Sequence, residues 1–522
     1  MGTMPALIAD GRWRGLALVS LVTLAQGGAA GMAAFATRGL FEAIHAGGPL
    51  SAALIAALAA SGLVIGCARV LSRLLGERLG QGYALAIRLA LLEHAAGMPA
   101  SAVATRRSGY MSLRFVGDMT AFRNWLGKGL PRLISGAIMI PAACLVLWLL
   151  EPRFALVALP LFGVTLGAMA LAGPRLEPLH RRLRARRARI AAEMAERMPM
   201  APDLDRMGRL PAELRSLRKR TGRMIRAGLQ RLFWAEALKA LPDAIAGFAA
   251  CAVIVLGARS GVSTGTIAGA LAAIGLVLMP LRDLASVWNF RAAYLAARQK
   301  CMAALTRVQR ETGRGETRLP EGPLHLCLHD LPLPRSARFS LDLPPGDRQT
   351  LRCDPGDADA LFSVLCGLEP VPPGAVRLSG LCLTELSRGS LRRGVLRLES
   401  SPAVLKGSLR RNLALGLLKR PSDARMLRAA CKAGLGDLLG RLGGLDGGLA
   451  EGGRGLSTRE RSALSLARIL LGKPQLVLLG EALWHLEPTA QAALRAHLDR
   501  CGATVLCHPV LADLTRDGPL AA

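Results

Sequence analysis

Over the first three hundred residues, long hydrophobic runs alternate with arginine-dense stretches. A helix needs about 20 apolar residues to cross the hydrocarbon core of a bilayer. Six segments meet that requirement, at roughly 15–37, 51–74, 131–150, 154–173, 236–258 and 263–286. Short connections join them in pairs and long ones separate the pairs, so the pattern predicts three helical hairpins. Within the long connections, LLGERLGQGYALAIRLALLEHAAGM and LHRRLRARRARIAAEMAERM keep helical spacing without clusters of Pro or Gly. They read as spanning helices continued well beyond the bilayer.

After Phe290 the hydropathy falls. QRETGRGETRLPEGP (309–323) is polar and reads as a linker. From Leu324 the signals become short and alternating. LHLCLHDL, FSLDLPPGDRQTLRC, LRRGVLRLES, QLVLLG and ATVLC are strand candidates, and ARMLRAACKAGL and RSALSLARILL are helix candidates. The expected organisation is a membrane α-helical domain over 1–305, a linker over 306–323 and an α/β domain over 324–522.

Charge refines this picture. The formal net charge is +30 in 522 residues, which alone suggests a nucleic-acid binder. Its distribution excludes a soluble one, because six spans alternate with the basic stretches. Between Arg175 and Arg231 there are 17 Lys or Arg. The connections near His45, Glu151 and Ser260 hold almost none. The positive-inside bias therefore places both long connections and both termini in the cytoplasm of a multi-pass protein of the cytoplasmic membrane. The basic helix faces either meet anionic lipid headgroups or are simply solvated. Arg12 and Arg14 precede an apolar run that continues to about Ala36, longer than a secretory signal's core, so an uncleaved first helix is expected. Asp243, after Pro242, is the main charge within a span. It reads as an interfacial or helix-paired carboxylate ahead of a substrate site. Pro280 is a candidate kink, and Arg282 and Asp283 mark the exit of the sixth span. The 11 cysteines include no C-x-x-C pair and no zinc spacing. Neither a disulfide nor a metal–thiolate site is expected.

Together these features resemble the ATP-binding cassette (ABC) transporters of the exporter type. RRSGYMSLRFVGDMTAFRNWLGKGL (106–130) looks like the stretch leading into the third span, and LVLMPLRDLASVWN (276–289) like the end of the sixth. EGGRGLS (451–457) is similar to the segment entering the family signature L-S-G-G-Q/E. ALSLARILLGKPQLVLL is similar to the helix and strand that follow it. The resemblance implies a six-helix exporter-type transmembrane domain fused to a P-loop NTPase-like nucleotide-binding domain. It also implies ATP and Mg2+ as cofactors, and a second half-transporter as partner.

The chemical positions depart from the family pattern. A P-loop binds phosphates through backbone N–H groups around glycines, a Lys and a magnesium-binding Ser or Thr. The matching segment is LRCDPGDADALFSVLCGLEPVPPGAVRLSG (351–380), in which Gly356 is the only glycine between Leu351 and Cys366. Counting from Gly346 puts the lysine position at Asp359; counting back from Gly367 puts it at Ala358. The hydroxyl position is then Ala360 or Leu361. A charge-assisted hydrogen bond contributes roughly 1.5–3 kcal/mol, so the missing lysine weakens nucleotide binding by about ten- to a hundredfold or more. Asp354, Asp357 and Asp359 add negative charge where a triphosphate would sit.

In the second strand motif, Gly480 stands at the magnesium-orienting aspartate, while Glu481 occupies the general-base position. In the signature, Ser457 and Glu460 match, and Thr458 and Arg459 replace glycines that let a phosphate approach the backbone. Arg459 reads either as a γ-phosphate contact or as a solvated surface residue. Ser400 falls at the nucleotide-sensing glutamine, and no Tyr occurs near 325–340 to stack on adenine. His508 corresponds to the switch histidine, in a shortened segment. Two readings follow from these departures. One is a half-transporter paired with a competent second half, a heterodimer ahead of a homodimer. The alternative is a catalytically inactive pseudo-transporter acting as a membrane scaffold or regulator.

Overall fold

In a computed structural model of the chain, the described residues are 4–104, 118–313, 315–335 and 338–508. Positions 106–117 of the stretch before the third span lie outside them, as does the end of the chain after His508. The chain divides into two compact units. One comprises Met1–Ala96 with Arg106–Val308, and the other Gly97–Thr105 with Gln309–Ala522.

The first unit is helical: α1 (Arg12–His45), α2 (Ala52–Ala96), α4 (Met119–Asn124), α5 (Leu130–Leu150), α6 (Pro152–Ala172), α7 (Leu176–Arg197), α8 (Ala201–Arg206), α9 (Leu210–Arg259) and α10 (Thr264–Leu305). The short helix α3 (Ala100–Ala104) belongs to the second unit. Six of the helical stretches are long and apolar enough to cross a membrane. Helix α9 has 50 residues, about 75 Å at 1.5 Å per residue, so it runs far past a hydrocarbon core of about 30 Å. Helix α10 stays continuous through Pro280, and Ser263 caps its start by accepting the Thr266 N–H at 3.2 Å.

Two carboxylates in or beside the apolar stretches are paired. Arg282 holds Asp243 at 2.5 Å, and Arg132 holds Asp283 at 3.0 Å. Between α4 and α5 lies one π-helical turn, Trp125–Gly129. It crosses α2 where only glycine fits. A Cβ on Gly76 would come 2.4 Å from the Gly127 oxygen, and one on Gly80 would come 2.4 Å from the Arg123 oxygen. Beside this crossing Phe122 packs edge-on to Tyr83 and Tyr294, and Trp125 stacks on Tyr294 with centroids 5.4 Å apart.

The second unit holds two four-stranded sheets. The first has the order β2-β1-β4-β5 and is antiparallel, from β1 (Leu326–Leu331), β2 (Phe339–Leu343), β4 (Val376–Leu378) and β5 (Leu381–Cys382). In the second, β3 (Arg348–Thr350), β6 (Val395–Leu398), β9 (Leu476–Leu479) and β10 (Thr504–Cys507) run parallel in the order β3-β10-β9-β6. Every residue of β9 and β10 is buried, as expected for parallel strands covered on both faces by crossover helices. The helices that concern the site are α11 (Pro355–Leu365), α12 (Arg388–Gly394), α13 (Leu409–Leu413), α14 (Asp423–Lys432), α15 (Gly436–Leu442), α16 (Thr458–Leu471) and α17 (Pro488–Cys501). The stretch LRRGVLRLES, a strand candidate as a whole, divides between the end of α12 and β6. A two-stranded ladder of β7 (Gly407–Ser408) and β8 (Gly448–Leu449) completes the unit.

Candidate functional site

Ligands of parallel α/β sheets bind beyond the carboxyl ends of the strands. Here that edge gathers the segment after β3, Ser400 beyond β6, Gly480 after β9 and His508 after β10. Thr350 ends β3 and Pro355 opens α11, so only four residues connect them. That is shorter than a G-x-x-x-x-G loop, and no residue of it is glycine. Leu351 N–H donates to the Cys507 oxygen at 2.6 Å, and His508 Nε2 lies 3.1 Å from the Cys353 oxygen. The histidine after the last strand is thus buried and tied to the connecting loop.

The first turn of α11 has its own anion. Asp354 is the N-cap, with Oδ1 accepting the Gly356 N–H at 2.8 Å, while Oδ2 lies 2.5 Å from Arg335. Asp357, which has no exposed surface, accepts the Arg335 backbone N–H at 2.8 Å. Asp359 pairs with Arg397 at 2.5 Å, and that guanidinium lies over the Phe362 ring. The three carboxylates are therefore engaged by the protein itself, so the repulsion expected from them is offset locally. Occupancy of the cradle takes its place as the obstacle to a phosphate. Ala358 and Leu361 are buried in the core, and Ala360 packs against it. No lysine or hydroxyl reaches a phosphate from these positions, and the residues present do not fit a magnesium triphosphate.

Gly480 ends β9 against α11, where an added Cβ would lie 3.6 Å from Phe362, an ordinary contact. Packing alone would accept an aspartate there; the glycine is a chemical difference. Glu481 opens the following 3-10 turn, exposed. At the signature, Ser457 caps α16 and forms a reciprocal capping box with Glu460, whose carboxylate also meets Arg441 at 2.6 Å. Arg459 is exposed and pairs with Glu487 on the surface. Thr458 is the first residue of the helix. None of the four side chains shares a hydrogen bond with the strand ends among the described residues.

Ser400 is half-buried beside Glu399, whose N–H donates to Ser465 at 3.0 Å. Burial pushes the Glu399 carboxyl up, against the opposing pull of Arg397 and Arg468. A carboxyl raised in the folded state contributes stability when protonated and loses it as pH rises. Glu399→Gln should therefore raise the unfolding midpoint at about pH 8, with the gain shrinking as pH falls below the ordinary glutamate range and the carboxyl becomes protonated in both states. A thermal-unfolding series across pH checks this.

Some site partners carried no sequence signal. Arg335 sits in a loop without a motif, and only the fold brings it to Asp354. Glu369 accepts from the Ser101 N–H at 2.6 Å and the Ser101 hydroxyl at 2.9 Å, and Leu368 O accepts from Ala100 N–H. In the same unit a cleft of about 1300 Å³ lies along α12 and the end of α16, lined by 11 Lys or Arg against two Glu.

Comparison with known proteins agrees with this architecture. Residues 17–281 match the family described as ABC transporter transmembrane region. An ATP-dependent lipid A-core flippase of Albidiferax ferrireducens is 26% identical over 249 residues, 46% of this chain and 43% of the relative. One of Thiobacillus denitrificans is 28% identical over 261 residues, 47% and 45% of the two chains. The chain thus spans less than half the length of these two relatives. A beta-(1→2)glucan export ATP-binding/permease protein NdvA of Nitrobacter winogradskyi aligns further, at 24% identity over 467 residues, 85% and 75% of the two chains. With six spanning helices ahead of a parallel-sheet α/β unit, and more than half its length matched by the family's transmembrane region, the chain belongs to the ABC transporters as an exporter-type half-transporter.

Proposed function

We propose that the chain is one subunit of an ATP-driven exporter of the cytoplasmic membrane, with both termini in the cytoplasm. Its partner is a second, catalytically competent half-transporter. The observation that carries this reading is the anion-capped first turn of α11, with Asp354 held by Arg335 and no lysine at either counted position, Ala358 or Asp359. Such a cassette binds MgATP weakly at best and serves as a docking and closure partner. Its basic cleft complements an acidic element of the other half. An amphipathic, lipid-like cargo suits spans with few charges, of which Asp243 and Asp283 are already paired, and the flippase relatives point the same way.

The test is to co-express the chain with candidate half-transporters, purify the complex and measure its ATPase. A competent pair should turn over ATP at least about tenfold faster than the chain alone, a difference of about 1.4 kcal/mol in activation free energy. No stimulation with any partner would sink the pairing.

A second reading is a scaffold or regulator without a nucleotide cycle. It is favoured by one specific observation: the signature residues Ser457, Arg459 and Glu460 are also committed to capping and ion pairs. A complex that forms stably and shows no ATPase would support it.

A further inference from the structure

We propose that Asp354 is a resident anion, a carboxylate that does for this cassette what a bound phosphate does for a competent one. This rests on the reading above and deepens it, since it names what holds the site in place of nucleotide. The first N–H groups of a helix lack intrahelical partners and carry partial positive charge, which is why phosphates settle there. Helix α11 satisfies them from within. One Asp354 oxygen takes the Gly356 N–H, and the other takes a counter-cation, Arg335.

The arrangement is braced on each side. Buried Asp357 receives the Arg335 backbone N–H, which fixes the segment bearing the guanidinium. His508 holds the Cys353 carbonyl one residue before the cap. Arg397 and Asp359 close the opposite side of the turn. The consequence is an autoinhibitory contact that keeps the 351–354 connection ordered whether or not nucleotide is present. An incoming phosphate would have to displace a carboxylate that is covalently at hand.

The test reads local opening in the full chain in detergent, by hydrogen exchange of the peptide spanning 355–362. Wild type should exchange slowly, with the same rate in sodium chloride and in sodium phosphate of equal ionic strength. Asp354→Ala should raise that rate about tenfold, from loss of the cap together with its ion pair. Phosphate at tens of millimolar should restore at least half of the protection, by occupying the vacated place beside Arg335. Adding Arg335→Ala to Asp354→Ala should abolish the recovery. If Asp354→Ala does not yield folded chain, Asp354→Ser keeps a cap oxygen without the charge and serves in its place. An unchanged rate in the variant, equal phosphate protection in wild type, or recovery that survives loss of Arg335 would each overturn the proposal. The chain is measured alone, so failure here is separable from failure to stimulate ATPase with a partner.

Discussion

Gly80→Val is expected to leave little folded protein. The valine Cβ would be placed 2.4 Å from the Arg123 oxygen and 3.1 Å from the Gly127 Cα, backbone atoms of α4 and of the π-helical turn. Neither can swing aside as a flexible side chain would, so α2 and the π-helical turn must separate. Overpacking costs typically 1–3 kcal/mol, and more where backbone has to move. About 3 kcal/mol or more is expected here. Gly62→Val is the matched control on the same helix, since nothing lies within 4 Å of that position. Detergent extraction followed by a thermal-unfolding series should show Gly62→Val near wild type and Gly80→Val lost or strongly lowered. Equal behaviour of the two would rule out the tight crossing.

Millimolar MgATP should leave the unfolding midpoint of the purified chain unchanged. A ligand that binds only the folded state stabilises by RT ln(1 + [L]/Kd). At 1 mM ligand, a micromolar site would give about 4 kcal/mol, whereas a millimolar site gives about 0.4 kcal/mol. The first is a shift of several degrees; the second is lost in the scatter. Ala358→Lys alone should not change the outcome, because the Gly356 N–H remains committed to Asp354 and the connection remains four residues long. A clear nucleotide-dependent rise in the wild-type chain would refute the account of the cradle given above.

The spans were legible because crossing a bilayer demands a composition that nothing else in the chain imitates. The same holds for β9, whose short LVLL run between Gln475 and Gly480 reads as a buried strand, and for the Ser457–Glu460 spacing, which writes a capping box into the sequence. The departures at Ala358, Gly480 and Thr458 were equally readable, since each is the identity of a residue at a counted position. Pairings were not readable. Asp354, Asp357 and Asp359 look like a block of uncompensated negative charge in the sequence. Their partners, Arg335 and Arg397, arrive from a loop and from β6, and nothing in the local pattern announces them. For Arg459 the same limit applied, because Glu487 lies 28 positions away. Hydrophobic period fixes where a helix faces; it says little about which guanidinium will find which carboxylate.

Residues 97–101 close onto partners far along the chain, with Ser101 and Glu369 separated by 268 positions. During synthesis at about 5–20 residues per second, that segment waits on the order of ten seconds to a minute for its carboxylate to emerge. A fragment beginning at Gln309 leaves the Leu368 carbonyl and the Glu369 side chain without the Ala100 and Ser101 groups of α3 that meet them. Ribosome-associated chaperones would encounter the α3 segment without its partners for that whole interval.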